Sequence, residues 1–257
     1  LNTRFTPAIK TGEYGDTALT DEFHWAAAEL YLATRQDSFF VAAAPLAPPA
    51  PGVPNWGSVA MLGIYSLLDH RSTLPLGTDT VALAERVLVP ARALADRARR
   101  SAYGVPIDGP DDFVWGSNAV AANEGVLLIQ AYRLTRDPAL LDAAVATLDY
   151  LLGRNATGYA FVTGIGGRSP RFPHHRPSAA DTVADPVPGF LVGGPNPGQQ
   201  DRCPGYPSRL PARSYVDSTC AYAANEVAIN WNAPLVYLAA AIDASAPRAL
   251  SPSERGR

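Results

Sequence analysis

The stretch "SNAVAANEGVLLIQAYRLTRDPALLDAAVATLDYLLG", residues 117–153, decides the fold. Its apolar residues recur at three- and four-residue intervals through two consecutive segments, the spacing of an amphipathic helix. The second segment carries its own punctuation. Asp137 is a capping residue, Pro138 falls at the first helical position and Gly153 stands where the helix should end. In the first segment Ser117 or Asn118 is the expected cap.

Working outward, "TDEFHWAAAELYLATRQ" (20–36) opens with Thr20 or Asp21 as cap and acids in its first turn. Phe23, Ala27, Leu30 and Tyr31 repeat at helical spacing there. "NWGSVAMLGIYSLLDH" (55–70) and "TDTVALAERVLVPARALADRARR" (78–100) read as further helices, the latter interrupted near Pro90. "PLAPPAPGVP" (45–54) is a proline-rich loop. From Arg154 to about Ser214 glycine and proline are dense and no period persists, although "YAFVTGIG" (159–166) reads as a short strand. An irregular stretch this long inside a compact domain is usually functional. The last helix is expected within "INWNAPLVYLAAAIDA" (229–244), capped by Asn230 or Asn232, because Pro234 is tolerated only in the first turn. The expected architecture is an all-α toroid or bundle over residues 1–245, with 246–257 as a disordered tail.

Composition narrows the function. Of 257 residues 47% are apolar and 18% charged, which permits a sizeable core. A net charge of −3 argues against a nucleic-acid partner, which calls for clustered positive charge. No apolar run reaches membrane-spanning length, so no membrane partner is expected. The first residues lack the charged and apolar regions of a signal peptide, and the chain starts at Leu1, as a processed precursor or an internal fragment would. Cys203 and Cys220 flank an irregular segment; they read as a disulfide of an oxidising compartment or as two buried thiols.

Two segments carry candidate chemistry. "GGRSPRFPHHRPS" (166–178) sets two histidines and two of its arginines between prolines, which lower the entropy lost on ordering the loop. His174 and Arg176 can donate hydrogen bonds to sugar hydroxyls or anions; the alternative is a solvated basic loop. "SYVDSTCAYAANEVAINWNA" (214–233) places Asp217 and Glu226 among Tyr215, Tyr222 and Trp231. A carboxylic acid desolvated by aromatic rings holds its proton more tightly, as a general acid must. Carboxylates with neighbouring rings fit glycosidic cleavage, where the rings stack on sugars. On pattern alone, acids near a helix start are more often caps or structural pairs.

These segments resemble the two sequence motifs of glycoside hydrolase family 9, the inverting cellulases and related β-glucan hydrolases with an (α/α)6 barrel. "FVTGIGGRSPRFPHHR" (161–176) is similar to the family's histidine motif, with Ala160 departing from the usual Ser, Thr or Val. "YVDSTCAYAANEVAINWNA" (215–233) matches the second motif without departure. "WGSN" (115–118), "DYLLGRNATGY" (149–159), "GFLVGGPN" (189–196) and "DEFHWAAAELY" (21–31) are also similar. The resemblance implies the C-terminal half of such a barrel, acting on cellulose or a related β-glucan or cello-oligosaccharide. It implies Glu226 as catalytic acid, Asp217 and His174 as catalytic groups and Arg176 as a substrate-binding residue. Trp115, Tyr215, Tyr222 and Trp231 are candidate sugar platforms, each with core packing as the alternative. The family's Asp-Ala-Gly-Asp motif, whose aspartate is the base, has no match in these residues. A degenerate half-barrel that only binds oligosaccharide is therefore the competing reading. The resemblance further implies secretion or a periplasmic location, and no cofactor for the chemistry. A structural calcium would lie at Asp21 and Glu22, with Gly57 where some relatives have an acid. Exposed apolar faces would be covered by an N-terminal half or a second copy.

Overall fold

The structure, a computed structural model, describes residues 15–48 and 52–245. The expected tail at 246–257 and part of the proline-rich loop lie outside the described residues. The chain divides into two compact units, Leu1–Leu76 and Gly77–Arg257. Both are helical. Among the described residues β-pairing is limited to isolated bridges.

The first unit contains α1 (Thr20–Thr34), α2 (Asp37–Ala43) and α3 (Ala60–Asp69), with α1 packed against the other two. Its buried face is His24, Ala27, Ala28 and Tyr31. Phe23 and Leu30, which repeat at helical spacing with Ala27 and Tyr31, are exposed, so the buried stripe is turned by about one residue from that repeat. Neither Thr20 nor Asp21 caps α1. Leu19 occupies the cap position, and the Asp21 carboxylate instead accepts the Val59 backbone N–H at 2.6 Å.

The second unit is built on α4 (Thr80–Arg100), α5 (Ser117–Thr135), α6 (Pro138–Leu151) and α9 (Ile229–Ser245), with the short α7 (Arg176–Ala180) and α8 (Tyr222–Asn225) in the irregular region. Helix α5 is its axis and packs against α4, α6 and α9. Small residues let the neighbours close in: a Cβ at Gly125 would lie 2.6 Å from the fully buried Leu238 of α9. As expected, Asp137 caps α6 by accepting the Ala139 N–H at 3.0 Å.

Three helix boundaries differ from expectation. Helix α4 runs unbroken through Pro90, because its other face, from Val87 to Ala98, is buried and holds the helix together across the missing N–H. Gly116, at φ +83°, takes the cap position of α5, and a Cβ there would meet the Trp231 ring at 3.0 Å. Ser117 and Asn118 lie inside the helix. Helix α9 begins at Ile229, ahead of both expected caps, with Pro234 in its second turn. The "YAFVTGIG" segment forms only an isolated antiparallel bridge, Val162 to Leu191, in place of a strand.

One acid lies in the core. Glu124 of α5 is 2% exposed and accepts a hydrogen bond from Arg97 of α4, which also pairs with Asp112 at 3.3 Å. Burial pushes the Glu124 carboxyl up to about 8 against the pull of the Arg97 charge. Between its ordinary value of 4.5 and about 8, the folded chain holds a proton that the unfolded chain has released. Each step up in pH across that window therefore favours unfolding. Thermal unfolding followed by circular dichroism is expected to show the melting temperature falling from pH 5 to pH 9. Glu124→Gln should flatten that slope; an equal slope in the variant would assign the effect to other groups.

Candidate active site

The irregular region between α6 and α9 returns to the end of α5 as a set of short backbone pairings. Asn118, in the first turn of α5, donates its backbone N–H to Gly193 O at 3.0 Å and its side-chain amide to Val192 O at 2.8 Å. Gly193 N–H then reaches Glu226 O at 3.0 Å, and Gly194 N–H reaches Ala224 O at 2.7 Å. Gly194 sits at φ +92°, and a Cβ there would fall 2.4 Å from Asn118, so no other residue fits. On the other side of the same segment, His174 N–H donates to Asn225 O at 2.7 Å, and His174 and Glu226 form a parallel bridge. Residues opposed in a bridge project their side chains to one face.

That face gathers four side chains. The Trp115 indole N–H donates to Glu226 Oε2 at 3.1 Å. Oε1 accepts no hydrogen bond among the described residues. The Tyr222 ring lies 5.4 Å from Trp115 and 5.8 Å from His174 between centroids. His174 Nδ1 is 2.7 Å from Thr219 O. A carbonyl only accepts, so Nδ1 carries the hydrogen and Nε2 of the neutral ring keeps a lone pair. Glu226, His174 and Tyr222 are half-buried and Trp115 is 42% exposed, so all can meet a solute. Arg176 is exposed at the start of α7, two residues beyond His174.

The other predicted residues are placed differently. Trp231 is buried against Gly116 and Gly193, and Tyr215 is buried edge-on to Tyr159 and Phe161. Neither offers a ring face to a sugar; both are core residues, which corrects their reading as platforms. Asp217 accepts the backbone N–H groups of Arg171 at 2.8 Å and Phe172 at 3.0 Å, one on each oxygen. It is thus engaged with the histidine loop and does not join the four-residue cluster. Sequence reasoning passed over Asn225, which is fully buried beside Glu226 and bonded to Tyr215, Phe172 and Asp217. A polar residue wedged between small residues and the acid was the available signal. Cys203 and Cys220 form a disulfide with Cα atoms 5.5 Å apart, which closes the segment carrying Asp217 and Thr219.

The sequence profile described as glycosyl hydrolase family 9 matches residues 2–239. The chain belongs to glycosyl hydrolase family 9. It is 46% identical to the xyloglucan-specific endo-β-1,4-glucanase BoGH9A of Bacteroides ovatus, over 96% of this chain and 42% of that protein. Endoglucanase C of Cellulomonas fimi is 37% identical over 89% of this chain and 22% of its own length. Among solved structures, AaCel9A in complex with a cellobiose-like isofagomine superposes with a TM-score of 0.81 at 38% identity, over 91% of this chain and 45% of that one. The helical units are those of the family's (α/α)6 barrel, and the chain spans less than half the length of these relatives.

The family 9 resemblance also implied a metal at Asp21 and Glu22, in the first unit. Among the described residues no three His, Cys, Asp or Glu side chains are placed to hold an ion by themselves. Two carboxylate oxygens there, Asp16 Oδ2 and Glu22 Oε2, are nevertheless buried with no hydrogen-bond partner. Desolvation opposes the charge on Asp21, but the Val59 N–H and a hydrogen bond with Glu22 outweigh it and hold Asp21 low. Glu22 is held high: its own backbone N–H lowers it, but desolvation, the bond to Asp21 and the charges of Asp21 and Asp16 prevail. The two carboxyl groups oppose each other in this way, and a hard cation between them would relieve that repulsion when carbonyls or water complete the oxygen shell. A Cβ at Gly57 would lie 4.0 Å from Asp16 Oδ2, which is where the acid of some relatives would enter.

Proposed function

We propose that this chain supplies the acid side of a β-1,4-glucan hydrolase site. The observation that carries the reading is the placement of Glu226 and His174 on one face, with the Trp115 N–H on Glu226 Oε2. Glu226 donates its proton to the leaving glycosidic oxygen as the bond to the anomeric carbon breaks. A carboxylate outside this chain takes a proton from water, whose oxygen attacks that carbon from the opposite face, so the product is inverted. This geometry needs the two carboxyl groups about 6.5–9.5 Å apart. His174 and Arg176 hold glucosyl hydroxyls, and Trp115 and Tyr222 offer ring surface beside them. The chemistry needs no cofactor. The substrate is cellulose, a related β-glucan or a cello-oligosaccharide; the relation to BoGH9A adds xyloglucan. The disulfide and the family support a secreted or periplasmic setting.

The base comes with a complementary N-terminal half, or a second copy stands in for that half sterically. Ile229, Val236 and Tyr237 on the open face of α9 are exposed, and an apolar partner surface would cover them. The competing reading, an oligosaccharide-binding half without turnover, is favoured by the absence of the base motif from these residues. Cello-oligosaccharide hydrolysis decides. The complemented chain should turn over, and Glu226→Gln should reduce the rate by about three orders of magnitude or more, as the loss of a general acid at a positioned site implies. Unchanged turnover in Glu226→Gln would sink the mechanism, and no turnover by any complemented form would leave the binding reading.

We also propose a structural calcium held by Asp21 and Glu22, with carbonyls or water completing its oxygen shell. Chelation should lower the melting temperature of the chain, and added calcium should restore it. Glu22→Gln should abolish the response. Equal melting temperatures with calcium and with chelator would remove the ion from the account.

A further inference from the structure

The histidine loop and the acid segment are separate in sequence, and two side chains join them. Asn225 is fully buried and its amide is fully used. Nδ2 donates to Phe172 O at 2.6 Å and to Asp217 Oδ1 at 3.2 Å, and Oδ1 accepts the Tyr215 hydroxyl at 2.6 Å. Its backbone carbonyl accepts His174 N–H, and its own N–H ends α8 on Ala221 O at 2.7 Å. Asp217 holds the Arg171 and Phe172 N–H groups, one on each oxygen. Four backbone groups of the loop, the Arg171, Phe172 and His174 N–H groups and the Phe172 carbonyl, are therefore held by this pair. Burial, reinforced by the Asp217 charge, keeps the Tyr215 hydroxyl protonated well above its ordinary value, so it remains a donor to Asn225. A carboxylate that merely served as a surface cap would not need this chain of partners, since exposed caps are satisfied by one backbone N–H.

We propose that Asn225 and Asp217, oriented by Tyr215, are positioning residues that set the His174 ring against Glu226. The proposal rests on the reading of Glu226 and His174 as the catalytic cluster. It makes Asp217 a positioning residue in place of a catalytic group and explains why the second motif couples an aspartate to an acid nine residues later. It also explains why a buried asparagine immediately precedes that acid. Loss of either group should leave the fold standing and let the imidazole turn away from the Thr219 carbonyl.

The test uses this chain labelled with 15N-histidine, and Tyr215→Phe, Asp217→Asn and Leu238→Ala variants. In the parent, long-range 1H–15N spectra should show His174 as a single tautomer protonated at Nδ1. Tyr215→Phe and Asp217→Asn should shift His174 toward the averaged tautomers of a free imidazole, leaving His24, whose Nδ1 faces Ala43 O, unchanged. Leu238→Ala removes a fully buried core side chain, so it should lower stability without moving the His174 signals. In the complete enzyme, Asp217→Asn should lower kcat about 10²-fold with KM little changed, as expected when a reacting group is misplaced by about 1 Å. Should Asp217→Asn fail to fold, Tyr215→Phe, which keeps the ring, decides on the same spectra. His174 signals that stay at parent values in the folded variants overturn the proposal, whatever the activity. Retained turnover in Glu226→Gln with shifted His174 signals would instead fault the catalytic reading and leave the positioning intact.

Discussion

The bond from Asn118 to the 192–193 segment, continued by Gly193 N–H to the Glu226 carbonyl, is the constraint on which the site depends. It joins the most buried helix of the second unit to the residue that carries the acid. Nothing flexible intervenes: Gly194 is held at φ +92° against the Asn118 side chain, and Gly193 lies within 3.1 Å of both Ala224 O and the Trp231 ring where a Cβ would stand. A site whose reacting groups hang from irregular chain needs this kind of anchorage, because errors of about 1 Å are costly in catalysis. Here the loops are irregular in form and tied together by specific hydrogen bonds.

The same economy explains the aromatic residues. Four rings of the second motif and its neighbour Trp115 look equivalent in sequence, yet they divide two and two. Tyr215 and Trp231 fill the space beneath the backbone pairings, and Trp115 and Tyr222 border Glu226 above them. The division follows from what each ring meets. Trp231 enters the space left by Gly116 and Gly193, where no Cβ exists. Trp115 precedes Gly116, whose left-handed conformation turns the chain into α5 and leaves the indole outside.

Much of the helical scaffold was legible in the residues. The repeat of Leu140, Ala143, Ala144 and Thr147 and the Asp137–Pro138 start place α6 without tertiary information. The failures have physical causes. Ser117 and Asn118 are good caps by residue type, but Gly116 is required there by the close approach of Trp231. Pro90 is a helix breaker by propensity, but burial of the opposite face of α4 prevails. Phe23 and Leu30 fit a helical stripe and are nonetheless exposed, because α1 buries the adjacent stripe of His24, Ala27, Ala28 and Tyr31 instead. Of the candidate site, Glu226 and His174 were singled out through motif resemblance, while Asn225 was passed over, because its small neighbours mark a polar position without showing what that position bonds to. Its role lies in partners 8 to 53 residues away.

The most direct test of the central claim, that Trp115, His174, Tyr222 and Glu226 form one sugar-facing site, is a cellotetraose titration followed by 1H–15N correlation spectra. The account predicts that the Trp115 indole N–H resonance moves, because its acceptor is Glu226 Oε2, together with the amides of His174 and Glu226. The Trp231 indole should stay in place. A perturbation centred elsewhere, or a Trp231 shift with a silent Trp115, would contradict it.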